Sequence, residues 1–392
     1  MREARAVTTY RVIVPTQPPA PRPIALPGPT IARLEVHIYQ VPTATPEADG
    51  TIAWDSTSVV LVEATASSGQ IGVGFSYASR AAAEVIHRML FPIASGRPVD
   101  AVRAIWGDMI KAVRNAGQPG IAATAISAVD IALWDLKGRV AQLPLFRLLG
   151  AHREGVPIYG SGGFTTYSEE QLCRQLSGWV EAGIPRVKMK IGKDWGTEPD
   201  VDIRRVESAR KAIGPDAELY VDANGGYTVK EATAVAGQVA NLGVTWFEEP
   251  VSSDQLSQLA FVREHIPMRV AAGEYGYSPW YFREMLGAEA VDVIQADATR
   301  CLGVDGFFEA AALAHAFGVP FSAHTAPAIH AHLGCIVPAI LNVEYFSDHL
   351  RVEDLFFDGL PRRVGGYLYP DPDRPGFGWE LKRPDADKYR VA

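Results

Sequence analysis

The sequence predicts an α/β fold: a (β/α)8-type parallel barrel preceded by a smaller α+β domain. Two observations carry this. From residue 151 onward, eight short β-rich runs recur roughly every 20–30 residues with helical stretches between them. Before residue 150 the texture differs, with strand-like alternation first and helical periodicity after it.

Composition sets the outer bounds. The chain has 392 residues, 47% hydrophobic and 21% charged, enough apolar side chain for a large core and too much for disorder to describe most of it. With 37 basic against 45 acidic residues the net charge is −8, which argues against nucleic acid or an anionic membrane surface as the main partner. No apolar run approaches the roughly 18 residues of a bilayer span. Arg2, Arg5 and Arg11 are followed by Pro15, Pro18 and Pro19, unlike the apolar core of a secretory signal. Cys173, Cys301 and Cys335 lie far apart with no CxxC, which suits isolated thiols in a reducing compartment. A soluble cytoplasmic protein is expected.

Residues 1–30 form a proline-rich segment, either an arm laid on a neighbouring subunit or a free tail. Residues 31–150 predict the α+β domain. Segments 32–39 and 58–64 have strand character, and 41–56 between them has loop chemistry, with two prolines, Asp49 and Gly50. Val102, Ile105, Trp106, Met109 and Ile110 form a helical stripe, and residues 122–136 are apolar nearly all round, as in a buried helix.

Residues 151–350 hold the barrel repeat, with runs at 156–160, 186–191, 218–223, 245–249, 269–273, 291–296, 319–323 and 340–345. Residues 201–213 and 303–317 typify the helices between them. An open doubly wound sheet is the competitor, weakened by the lack of a GxGxxG after the first run. Residues 351–392, rich in Pro, Gly and Asp, close over one of the domains.

A barrel puts its chemistry at the C-terminal strand ends. Lys188 and Lys190 share one face by the two-residue period of a strand, and each ammonium favours loss of the other's proton. A solvated edge strand would also explain them, but a closed barrel has no edge. Asp222, Glu248 and Glu274 end three successive runs. A lone Asp there is commonly a helix cap, but three converging carboxylates call for a cation, and oxygen-only ligands with room for water suit Mg²⁺. Glu249 should turn away, to sit behind the ligands or pair with a basic residue. Asp297 and His324 end the sixth and seventh runs and suit a His–Asp general base. Glu344, on the eighth run, is a candidate acid or hydrogen-bond donor to an oxyanion; His330 and His332 are read as structural. A substrate carboxylate on the metal would have its α-proton between a lysine on one flank and a histidine on the other.

Lys188-Met-Lys190, the Asp222/Glu248/Glu274 triad, Asp297–His324 and Glu344 together resemble the enolase superfamily, within it the mandelate racemase subgroup. Residues 125–138 are similar to the stretch closing that family's capping domain. The resemblance covers about residues 31–380. It implies Mg²⁺, Lys190 as one base with Lys188 as electrostatic partner, and His324 with Asp297 as the other base. Glu344 would bond the enolising carboxylate. It also implies that residues 31–150 form a capping domain, completed by the tail, whose loops near 42–54 and 74–79 cover the barrel mouth. Dehydration of a sugar acid to a 2-keto-3-deoxy acid is the expected reaction, with racemisation or epimerisation of a 2-hydroxy acid as the alternative on the same site. A Schiff-base aldolase using Lys190, depressed by Lys188, is the reading from another class. The expected partners are a small carboxylate substrate and further copies of the chain, as a dimer or octamer.

Overall fold

The computed structural model describes residues 28–391; residues 1–27, most of the proline-rich arm, lie outside the described residues. Strands β1 (Ile31–Ala48), β2 (Ala53–Ala66) and β3 (Ile71–Ser76) form an antiparallel sheet. Its buried face packs on the helix Ile121–Ala141. That helix is long and apolar enough to span a bilayer, contrary to the sequence expectation, but 83% of its most apolar window is buried inside the protein. It is a core helix.

The segment 41–56 differs from the loop expected. The hairpin continues through it, with Glu47 opposite Trp54 and Ala48 opposite Ala53 after a bulge between Pro42 and Glu47. The two prolines fall at that bulge, where no ladder hydrogen bond is required of them. The turn is capped by Asp49, whose Oδ1 accepts from Thr51 N at 2.6 Å and Ile52 N at 2.9 Å.

Eight parallel strands follow: β4 (Val156–Gly162), β5 (Arg186–Lys190), β6 (Glu218–Asp222), β7 (Val244–Glu248), β8 (Arg269–Ala272), β9 (Val293–Ala296), β10 (Phe321–Ala323) and β11 (Ile340–Phe346). Each pairs with its sequence neighbours, and β11 pairs with β4, so the barrel is closed. Its interior below the strand ends is filled by Tyr159, Tyr220 and Trp246, with Tyr220 stacked on Trp246 at 4.9 Å. These rings form a packed floor, as a barrel of this size requires.

The C-terminal tail packs on the N-terminal domain. Phe357 and Trp379 stand against Phe75, Arg139 binds Glu380 at 2.8 Å, and Val391 N donates to Ile38 O at 2.8 Å. The hairpin at residues 362–369, which the sequence reading lacks, adds antiparallel pairing to the start of β4. The N-terminal domain is tied to the barrel by Trp134, whose indole donates to Asp305, and by Trp106, which donates to Leu302 O.

Candidate active site

Strand register brings the acidic and basic side chains together. Lys190 lies beside Asp222 and Asp222 beside Glu248 across β5, β6 and β7. Glu274 follows β8 after Gly273, whose φ is 137° and whose position would put a Cβ 2.1 Å from Gln295 O. Only glycine permits that approach, and it turns Glu274 inward. Asp222, Glu248 and Glu274 then offer ligand oxygens within 4.8 Å of one another, all buried. Glu274 Oε2 is buried and makes no hydrogen bond, with His324 Nε2 near it at 3.3 Å. An all-oxygen set with an uncommitted buried oxygen fits a hard divalent cation such as Mg²⁺.

The same carboxylates hold both lysines. Lys188 Nζ lies 2.5 Å from Glu248, 2.9 Å from Glu344 and 3.3 Å from Asp222. Lys190 Nζ lies 2.5 Å from Asp222. Burial disfavours charge on each, but Glu248 and Glu344 keep Lys188, and Asp222 keeps Lys190, above the ordinary lysine range. The expected mutual depression is therefore outweighed: Lys188 does lower Lys190, by less than Asp222 raises it. The depression of Lys190 that the aldolase reading assumes is opposed by its ion pair with Asp222. Burial and the neighbouring Asp222 push Glu248 up to about 8.

His324 follows β10 and donates or accepts through Nδ1 with Asp297 Oδ2 at 2.9 Å. Its Nε2 lies 3.3 Å from Glu274 and 3.8 Å from Glu344. Burial opposes an imidazolium there, but Glu274 and the Asp297 hydrogen bond raise the group to about 9. Glu344 accepts from Ser161 Oγ at 2.5 Å and Thr325 N at 3.0 Å. Burial opposes its charge, but Lys188 and His324 hold it down to about 2. Ionised, it is acceptor-only; protonated, it would be the donor to an oxyanion that the sequence leads one to expect.

Glu249 lies behind the ligands, the first of its two expected places, and does not line the active-site cavity. Its φ of 38° breaks the strand period and keeps it beside the site. Its Oε1 is buried without a partner; burial and then Glu274, Asp222 and Glu248 push its carboxyl well up, so it forms no basic pair. His330 is structural: Nε2 accepts from Ala298 N at 3.0 Å, and Nδ1 meets Thr325 O at 2.7 Å. His332 is buried edge-on to Phe146 and Phe377.

Several contributors escaped the sequence reading. Arg300 lies 3.3 Å from Glu274 and 3.6 Å from Asp297, and its place three residues after Asp297 was the available signal. Trp246 donates to Glu248 Oε2 at 3.0 Å, and Tyr159 presents its ring 5.3 Å from Lys188 Nζ. No sequence pattern distinguishes those two rings from ordinary barrel core.

The strand ends open on a cavity of about 290 Å³. Lys190, Glu274, Arg300, His324 and Glu344 line it from the strand ends; residues 49–58 and 77–79 line it from the N-terminal domain, as the implied lids should. The hairpin tip rests directly on the barrel: a Cβ on Gly50 would lie 2.3 Å from Ala223 O and 2.9 Å from Ile191 O. Thr165 N donates to Ala48 O, and Trp195 N to Gly50 O, which fixes the tip in place.

Comparison with known proteins agrees with this geometry. Residues 33–150 match the mandelate racemase/muconate lactonizing enzyme N-terminal domain, and residues 171–386 the enolase C-terminal domain-like family. The chain is 32% identical to an arabinonate dehydratase of Saccharolobus solfataricus, over 85% of this chain and 90% of that protein. A mandelate racemase/muconate lactonizing enzyme-like protein from Rubrobacter xylanophilus superposes with a TM-score of 0.89 at 48% identity, covering 93% of this chain and all of that one. L-talarate/galactarate dehydratase from Salmonella typhimurium, solved with Mg and L-lyxarohydroxamate, superposes with a TM-score of 0.85 at 28% identity, covering 95% of this chain and 96% of that one. With both family domains matched in order around a closed barrel, the chain belongs to the enolase superfamily, in its mandelate racemase subgroup.

Proposed function

We propose that this protein dehydrates a sugar acid to a 2-keto-3-deoxy acid. One observation carries the reading: Lys190 and His324 line the same cavity from β5 and β10, with three clustered carboxylates on the strands between them. Support comes also from relatives named as dehydratases of arabinonate and of talarate and galactarate, the last solved with Mg.

Asp222, Glu248 and Glu274 would hold Mg²⁺, which when bound draws charge from the substrate carboxylate and makes the α-proton acidic enough to remove. With Asp222 committed to the cation, Lys190 would lose the partner that holds its proton and, as the free amine, would take the C2 proton. Lys188, kept cationic by Glu344, stands against the enediolate charge. Glu344 thus acts by holding an ammonium. His324, steadied by Asp297, gives a proton to the C3 hydroxyl, which leaves as water; the resulting enol ketonises. The barrel supplies the chemistry and the lid excludes bulk water.

Racemisation or epimerisation remains the second reading, because two bases on two flanks of one cavity need no leaving group to invert an α-carbon. A ¹H NMR screen of aldonic and aldaric acids in D₂O with Mg²⁺ separates the two. Dehydration replaces the C2 proton signal with a 3-deoxy methylene, and EDTA stops it. Deuterium entering C2 without elimination would assign the second reading. Turnover that survives both Lys190→Ala and His324→Asn would overturn the two-base mechanism.

A further inference from the structure

The charges lining the cavity divide into two ends. The strand-end side has Lys190, Arg300 and His324 set against Glu274 and Glu344. The lid side has Asp49 and Asp348 and, among the described residues, no lysine or arginine. Arg351 is bound to Asp348 at 2.6 Å and does not line the cavity. Arg300 is engaged by Glu274 and Asp297 and lies over the Tyr275 ring at 5.3 Å.

We infer that this cavity selects sugar acids with a single carboxylate, aldonates, and discriminates against aldarates, which carry one at each end. The inference rests on the function proposed above and names the substrate class within it. With one carboxylate at the metal triad, a second would reach the lid end, find no free cation and meet Asp49 and the Arg351-paired Asp348. Neutral hydroxyls find the opposite. Asp49 spends Oδ1 on the turn donors Thr51 and Ile52, leaving Oδ2 without a partner among the described residues. Asn224 Oδ1 is likewise buried and unpartnered. His349 accepts from Ala326 N through Nδ1 at 3.3 Å, and burial holds the ring neutral, so Nε2 carries the proton and can donate. Acceptors and donors side by side, without net positive charge, match a polyol chain.

The test uses the full-length Mg²⁺-loaded protein and matched pairs: D-gluconate with D-glucarate, D-galactonate with galactarate, D-mannonate with D-mannarate. Binding is measured by calorimetry and turnover by keto-acid formation. In the best-bound pair the aldonate should bind at least tenfold tighter than its aldarate. Asp49→Asn should narrow that gap several-fold, chiefly by improving the aldarate. Aldarate binding equal to or tighter than aldonate binding overturns the inference, even if the aldarate is dehydrated and the proposed function stands. Tighter aldonate binding with no turnover or C2 exchange upholds the inference and overturns the function. Binding of neither series overturns both.

Discussion

The strand ends and the lid face one cavity, yet they hold their polar groups by different means. At the strand ends the charges sit on or just past paired strands and offset one another: Lys188 against Glu248 and Glu344, Lys190 against Asp222, His324 against Asp297. At the lid the groups sit on a hairpin tip, fixed by a few backbone bonds to barrel loops and a carboxylate-capped turn. Displacing a strand-end charge leaves its partners buried and unpaired, whereas a lid residue can change with only local effect. The chemistry is built where substitution is most costly, and selection of substrate where it is least so.

Five variants test that contrast, beginning with the largest effect. Lys190→Ala or His324→Asn should lower kcat by about 10³-fold, the middle of the range for a lost acid or base, with KM far less affected. Steady-state kinetics on the best substrate checks this. Gly50→Ala would push its Cβ against Ala223 O and Ile191 O, both backbone, so the lid tip must lift. A loss of about a hundredfold in kcat/KM is expected, with Mg²⁺ affinity unchanged.

Glu47 tests the lid by pH. Burial and the nearby Asp348 raise its carboxyl to about 8, from an ordinary 4.5. Between those values the native state keeps a proton that the unfolded chain releases, so stability falls as pH rises through the window and levels off above 8. Glu47→Gln should remove that slope, on the order of 2 kcal/mol, in urea unfolding at pH 5 and pH 8. The smallest effect is expected of Trp246→Phe, which keeps the floor packed but deletes the indole bond to Glu248. Mg²⁺ affinity should fall about tenfold, with substrate KM at saturating Mg²⁺ little changed.

The contrast also explains what could be read in advance. Barrel strands are buried on both faces and end in charges, so Lys188, Asp222, Glu248, Glu274, Asp297, His324 and Glu344 stand out against apolar runs, and the period of two assigns their side. For Glu249 the period gave a place behind the ligands but could not show that no base pairs with it, since its left-handed backbone departs from the strand. The hairpin through residues 41–56 escaped because prolines and small polar residues signal a loop, while its pairing depends on β2 and on support from the barrel. Arg300 and the aromatic floor owe their roles to neighbours distant in sequence. Protonation was the least legible: the two lysines look mutually repulsive along β5, and only the packed carboxylates from β6, β7 and β11 reverse the sign.

The division of labour between the two bases is tested most directly by C2 proton exchange in D₂O, followed by NMR with the best aldonate and Mg²⁺. The account predicts exchange without elimination in His324→Asn, where Lys190 still takes the proton, and neither exchange nor elimination in Lys190→Ala. Exchange at the wild-type rate in Lys190→Ala would contradict it.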